Sequence, residues 1–141
     1  MKLAARIFPS LREQRVLFTE SDLLDYAPVA DYGLLRAAHD AALAHEYVEQ
    51  TRVGLVFSSD SFYSPRPELA ARMVDYGVLA VEMEASALYT LAAQHRARAL
   101  AICTVSDHVV SGEQTSADER EQTFRHMVEI ALEAVFTPPV G

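Results

Sequence analysis

From residue 51 onward, short apolar runs alternate with longer segments whose apolar residues recur at helical spacing. The apolar runs favour β-strands and cover residues 51–59, 78–83 and 99–107. The amphipathic segments predict helices over residues 66–77, 84–96 and 117–135, the last preceded by a capping-box sequence, SADE. Strands and helices in this strict alternation predict a largely parallel sheet covered by helices.

The pattern before residue 51 is weaker. Residues 30–45 carry apolar side chains at helical spacing and predict one more helix. The sequence RVLF, residues 15–18, fits a short strand, whereas the rest of the first 29 residues predicts irregular chain. The last five residues, TPPVG, predict a tail.

Each of the three predicted strands is followed by a polar sequence that contains a carboxylate: SSDSFY, EMEAS and SDHVVSGE. Ligands of open α/β sheets bind beyond the carboxyl ends of the strands, so this edge is the predicted functional site. Residues i and i+2 of a strand face the same side. Glu82 and Glu84, on either side of Met83, would therefore project together if the strand extends that far.

Three interpretations of the Glu82–Glu84 pair remain open from these residues. The two carboxylates could hold a cation between them, which would require further oxygen or nitrogen ligands. They could accept hydrogen bonds from sugar hydroxyls, with Met83 as an apolar platform. Alternatively, they simply face water at a strand-to-helix turn, where a negative charge favours the helix N-terminus.

The segment TVSDH, residues 104–108, allows two interpretations of Asp107. The aspartate could close the strand by capping or by an Asx-turn. It could instead be a general acid whose pKa is raised by burial and a neighbouring carboxylate, with Arg120 regulating its charge. Arg120 could equally be a solvated helix residue. The aromatic pair at 62 and 63 suits either stacking on a planar ring or core packing.

Composition narrows the class of protein. The chain has 141 residues, half of them hydrophobic, which is enough for one compact domain with a real core. A formal charge of −8 without a basic patch argues against nucleic-acid binding. A single cysteine excludes an internal disulfide and favours a reducing, cytoplasmic setting. No apolar run reaches the length of a membrane span, and no His/Cys spacing suggests a metal site.

Four segments together carry a specific resemblance: FSSDSFYSP, YGVLAVEMEASALYTLA, ALAICTVSDH and EQTSADEREQTF. In order and spacing they closely resemble the bacterial hexameric purine nucleoside phosphorylases, of the nucleoside phosphorylase superfamily, over about residues 15–136. The resemblance implies a three-layer α/β fold in which helices flank a mostly parallel or mixed sheet. It also implies that residues 1–141 form a single domain corresponding to the C-terminal part of such an enzyme, truncated at its start.

The resemblance implies a platform for the nucleoside. Glu84 would accept hydrogen bonds from the ribose hydroxyls, and Met83 would pack on the sugar. Val81 and Glu82 would pass beneath base and sugar, and Phe62 would stack on the purine.

The resemblance also implies how the base is activated. Ser106 and Asp107 would contact the base, and Asp107 would give a proton to purine N7. Arg120 would turn toward this aspartate when the site closes. Because pyrimidines have no N7, an acid at this position favours purine substrates.

The implied reaction is phosphorolysis of purine ribonucleosides or deoxyribonucleosides to the free base and the sugar 1-phosphate. It uses inorganic phosphate as co-substrate and no cofactor, in a homo-oligomer. No counterpart of the family's N-terminal phosphate-binding half is found, so little activity is expected of the isolated chain. Alternatives are a complementing N-terminal half on another chain, a non-catalytic nucleoside-binding remnant or assembly partner, or a related nucleosidase or other nucleoside phosphorylase.

Overall fold

A computed structural model describes residues 2–7, 27–61, 67–109 and 111–136 of the chain. The strands are β1 (Lys2–Ile7), β2 (Arg52–Ser58), β3 (Val78–Glu82) and β4 (Ile102–Cys103). The helices are α1 (Tyr32–Ala44), α2 (Pro67–Asp75), α3 (Ala85–Gln94) and α4 (Ala117–Phe136), and a 3-10 turn covers Val48–Gln50.

The four strands form one mixed sheet in the order β3-β2-β1-β4. β2 pairs in parallel with both β1 and β3, whereas β4 pairs antiparallel with β1. Parallel pairs need long crossovers, and α2 forms part of the crossover from β2 to β3. The predicted α/β class is therefore confirmed.

The strongest patterns predicted their elements well. Four helices and the strands β2 and β3 lie where hydrophobic periodicity placed them, with ends that differ by no more than two residues. Asp31 caps α1 by accepting a hydrogen bond from the N–H of Leu34 at 2.8 Å. Gly77, the last residue of the helix predicted over residues 66–77, follows the end of α2 and has a φ of 75°, the left-handed conformation that glycine adopts without strain.

Two predictions about strands were wrong. The irregular N-terminal segment contains β1, which lies inside the sheet between β2 and β4. The predicted strand over residues 99–107 is reduced to β4, because neighbouring backbone groups bond elsewhere. Ala99 O accepts from the N–H of Asp31, and the N–H of Ala101 donates to the hydroxyl of Tyr89, both at 2.9 Å. The predictions for residues 15–18 and the C-terminal tail lie outside the described residues.

Two apolar clusters lie between described helices and strands. The first joins α1 to α4 and is built mainly from small side chains, which let the helices approach closely: Ala38, Ala41, Ala42, Ile130 and Ala134. The second joins β2 to α3 and contains Val56, Ala85 and Tyr89. This second cluster fixes α3, and hence the turn that leads into it, against the sheet.

Candidate functional site

The turn between β3 and α3 separates the two carboxylates of the VEME sequence. β3 ends at Glu82, and α3 begins at Ala85, so Glu84 stands at the N-cap position of the helix. The strand does not extend to Glu84, and the argument that alternate residues share one face therefore does not apply to this pair. Glu84 gives no side-chain cap to α3.

Glu82 supplies that cap instead. Its Oε2 accepts the backbone N–H of Glu84 at 2.8 Å and that of Ala85 at 2.5 Å. Its Oε1 accepts the hydroxyl of Ser58, and the same hydroxyl oxygen accepts the N–H of Ser86 at 3.0 Å. A carboxylate here satisfies N–H groups that would lack partners at a helix start, and its charge favours the positive end of the helix dipole.

Ser58 was not among the residues predicted for the site. It is buried, with 6% of its surface exposed, and lies at the end of β2 directly opposite Glu82 in the parallel pairing. A serine where an apolar strand turns polar was the available signal, but its partner stands 24 residues away in sequence. The pair confirms that β2 and β3 end at the same edge of the sheet.

The side chains beside Glu82, in the turn and at the end of β3, are open to solvent. Glu84 is exposed, and its carboxylate accepts no hydrogen bond from any residue that the structure describes. Met83 and Val81 each have 42% of their surface exposed. Among the described residues, this carboxylate thus has no hydrogen-bond donor and lies beside an apolar side chain, an arrangement suited to a polyhydroxylated ligand with an apolar face. Phe62 lies outside the described residues.

Ser106 and Asp107 begin a hydrogen-bonded loop that leads to α4. The hydroxyl of Ser106 donates to Oδ2 of Asp107 at 2.6 Å. Thr115 closes the loop by donating its backbone N–H and its hydroxyl to the carbonyl of Ser106, at 3.0 and 2.9 Å. Asp107 also forms a β-bridge with Gln114. The aspartate is therefore held on a fixed backbone, with Oδ2 fixed by its serine neighbour.

Arg120 lies on the exposed first turn of α4. The predicted capping box precedes it: Glu119 accepts from the N–H of Ser116 at 2.8 Å, and Ser116 accepts the N–H of Glu119 at 3.2 Å. The hydroxyl of Ser116 also donates to Oε2 of Glu119 at 2.8 Å, and the two bonds that this carboxylate accepts from Ser116 hold the pKa of Glu119 below its usual value. Within the described ranges, no ion pair or hydrogen bond joins Arg120 to Asp107.

The carboxylates at the β3–α3 turn affect the pKa of Cys103, a residue of β4. Burial raises the pKa of this half-buried thiol, and the negative charges of Glu82 and Glu84 raise it further.

The carboxyl ends of parallel strands meet at one edge of a sheet, and this holds for β2 and β3. β4 pairs antiparallel with β1, so the same reasoning does not place Asp107, which follows β4, at that edge. Among the described side chains, none of the His, Cys, Asp and Glu residues form a group of three that could hold a metal ion.

The family model described as Phosphorylase superfamily matches residues 12–137. The chain belongs to the phosphorylase superfamily. The matched range agrees with the expectation of about residues 15–136, and the resemblance drawn from the motifs is confirmed. No helix in the described part of the chain has the length and apolarity needed to cross a membrane.

Several curated members of the superfamily are similar to this chain. Purine nucleoside phosphorylase DeoD-type of Jannaschia sp. (strain CCS1) is 57% identical over 114 residues, which are 81% of this chain and 48% of the relative. The proteins of the same name from Xenorhabdus nematophila and Brevibacillus brevis are 55% and 49% identical, over 79% and 85% of this chain and 46% and 49% of the relatives. The chain spans about half the length of the curated relatives it matches.

Proposed function

We propose that this chain is the base- and ribose-binding part of a purine nucleoside phosphorylase. The observation that carries the proposal is the β3–α3 turn, where Glu82 is committed to the helix cap and Glu84 keeps a solvent-facing carboxylate. The names of its relatives, among them two that are 57% and 55% identical, favour the purine-specific reaction.

Glu84 is the proposed ribose ligand. An ionised carboxylate has acceptor sites for two hydroxyl donors, and charge-assisted hydrogen bonds are about twice as strong as neutral ones. Met83 would cover the apolar face of the sugar, and Val81 would pass beneath the base. Phe62 is proposed from sequence alone as the ring that stacks on the purine.

Asp107 is the proposed general acid, with Ser106 as its neighbour at the base. When the bond between the anomeric carbon and N9 breaks, its electron pair moves into the purine ring. A proton from Asp107 to N7 makes the departing base neutral, while an oxygen of phosphate forms the new bond to the anomeric carbon. A positioned acid of this kind contributes about 10²- to 10⁴-fold to a rate.

Arg120 is the proposed charge partner of Asp107 in a closed site. It stands on exposed helix surface within the described residues, so pairing would require movement of its side chain or of the first turn of α4. A guanidinium beside the aspartate would stabilise the carboxylate that remains after proton transfer.

The proposal has four further parts. The enzyme uses phosphate as co-substrate and no cofactor, it is a homo-oligomer, and it is located in the cytoplasm. Apolar side chains on the surface support the assembly: Leu88 and Leu91, three residues apart on α3, are 45% and 44% exposed. Sedimentation velocity tests it, and a purely monomeric chain would contradict the homo-oligomer.

Nucleoside binding and turnover test the function separately. Calorimetry should show saturable binding of inosine or adenosine to the chain, weakened in Glu84→Gln and retained in Glu68→Gln, which alters an exposed carboxylate of α2. No binding by the unaltered chain would overturn the proposal.

Turnover is measured as release of hypoxanthine or adenine with and without phosphate. The isolated chain should release little base. Phosphate-dependent release should appear when the chain is co-expressed with the part of the Jannaschia relative that it does not cover. Binding without release in both settings would favour a non-catalytic nucleoside-binding protein instead.

A further inference from the structure

Ser58 and Glu82 form a polar clamp around the first turn of α3. Five groups are joined by four hydrogen bonds: the carboxylate of Glu82, the hydroxyl of Ser58, and the backbone N–H groups of Glu84, Ala85 and Ser86. The clamp joins the end of β2 to the start of α3 across the end of β3. No other side chain in the described residues donates to Glu82.

Glu82 differs from Glu84 in how many of its hydrogen-bond acceptor positions are filled by the protein. A carboxylate offers about four acceptor positions, and protein donors fill three of those of Glu82. One acceptor position, on Oε1, stays open, but two sugar hydroxyls could bind Glu82 only if they displaced the Ser58 hydroxyl or a backbone N–H. A displaced N–H would be left without a partner at the helix start, which costs free energy. Glu84 bears no such cost, since the described residues leave its carboxylate without a hydrogen bond.

We infer that Glu82 and Ser58 are positioning residues that fix the backbone from which Glu84 projects, and that Glu82 does not itself bind the sugar. The inference deepens the proposed function, on which it rests for the identity of the ligand. It changes the role of Glu82 from part of the nucleoside platform to the support beneath it. A carboxylate on a fixed backbone loses less conformational freedom when it binds hydroxyl groups.

Amide hydrogen exchange tests the clamp without any ligand. Replacing Glu82 by Gln removes the charge and should raise the exchange rates of the Glu84 and Ala85 amides by about tenfold. Ser58→Ala should accelerate mainly the Ser86 amide, and as a small change it keeps the test valid if E82Q folds poorly. Glu84→Gln and the control Glu68→Gln should leave all three amides unchanged. Unchanged exchange in both E82Q and S58A would overturn the clamp.

Paired ligands test which glutamate binds the sugar. Inosine has both ribose hydroxyls, and 2′,3′-dideoxyinosine has neither. Glu84→Gln should abolish the preference for inosine over 2′,3′-dideoxyinosine. S58A and E82Q should lower the affinity for inosine several-fold but keep that preference. Loss of the preference in E82Q with unaltered amide exchange would overturn the positioning role. If the unaltered chain bound neither ligand, the proposed function would fail, while the exchange data would still decide the clamp.

Discussion

At the scale of single residues, environment separates side chains that the sequence presents as equals. Glu82 and Glu84 are the same residue type two positions apart, yet one carries three hydrogen bonds from the protein and the other faces solvent. A buried or half-buried carboxylate must be satisfied by donors, so its neighbours determine its role. Here those neighbours are a serine of another strand and the amides of the next helix.

Asp107→Asn should lower the rate of base release by about 10²- to 10⁴-fold in the complemented enzyme, because asparagine cannot give a proton to N7. Binding of inosine should change only a few-fold, since the amide can still accept from Ser106. The measurement is steady-state release of hypoxanthine, with Asp118→Asn on exposed α4 surface as the matched control. An unchanged rate in Asp107→Asn would refute the general-acid role.

Glu84→Gln should make Cys103 more reactive. Removing this negative charge removes one of the causes that raise the pKa of the thiol, so a larger fraction is thiolate at pH 8.5. The measurement is the rate of alkylation by iodoacetamide in the folded chain. Glu113→Gln, which alters an exposed carboxylate of the 106–116 loop, is the control and should leave the rate unchanged. Slower alkylation in Glu84→Gln would contradict the electrostatic link between the turn and β4.

At the scale of elements, side chains from distant parts of the chain determine where strands and helices end. The hydroxyl of Tyr89, on α3, accepts the N–H of Ala101 at 2.9 Å and takes that group out of the sheet. Burial of this tyrosine raises its pKa, as expected of a phenol held inside the second apolar cluster. β4 is short because its flanking backbone groups have partners outside the sheet.

The capping box of α4 should depend on pH. The pKa of Glu119 is lowered by the Ser116 bonds, so its contribution is complete above the ordinary value of 4.5 and is lost as pH falls through the lowered value. Glu119→Gln should remove this dependence, because glutamine still accepts the Ser116 N–H without titrating.

Urea unfolding between pH 7 and pH 3 tests this expectation. The unaltered chain should lose stability relative to Glu119→Gln as the pH falls, whereas Glu121→Gln serves as a charge-matched control on the same helix. Replacing Ser116 by Ala should cost about 1 kcal/mol at pH 7. A constant difference between the chain and Glu119→Gln over this range would contradict the capping box in solution.

At the scale of the whole molecule, α1 and α4 close over one cluster in which Ile130 is the largest fully buried side chain. Ile130→Ala should lower the free energy of unfolding by about 2–5 kcal/mol, since its alanine neighbours cannot fill the cavity. Leu132→Ala, at a position 54% exposed, should change it by less than about 0.5 kcal/mol. Urea denaturation measures both, and an equal loss at Leu132 would mean that this face is buried in solution.

Much of this molecule follows from the sequence alone. Hydrophobic periodicity determined four helices and two strands, because a segment that must bury one face repeats its apolar residues at the period of its backbone. The capping box of α4 and the stop at Gly77 are equally local, since each depends on residues a few positions apart. The motifs around residues 82, 107 and 120 were specific enough to indicate the superfamily.

Only the tertiary structure decided what depends on contacts between distant segments. It placed β1 inside the sheet, reduced the predicted third strand to Ile102–Cys103, and left Arg120 without a bond to Asp107. It also showed that Glu82, and not Glu84, is the carboxylate of VEME that binds the protein, because Ser58 reaches Glu82 only once β2 and β3 pair. The local pattern of apolar residues indicates which face of a segment is buried. The hydrogen-bond partner of a side chain on another segment is determined only when folding brings the two segments side by side.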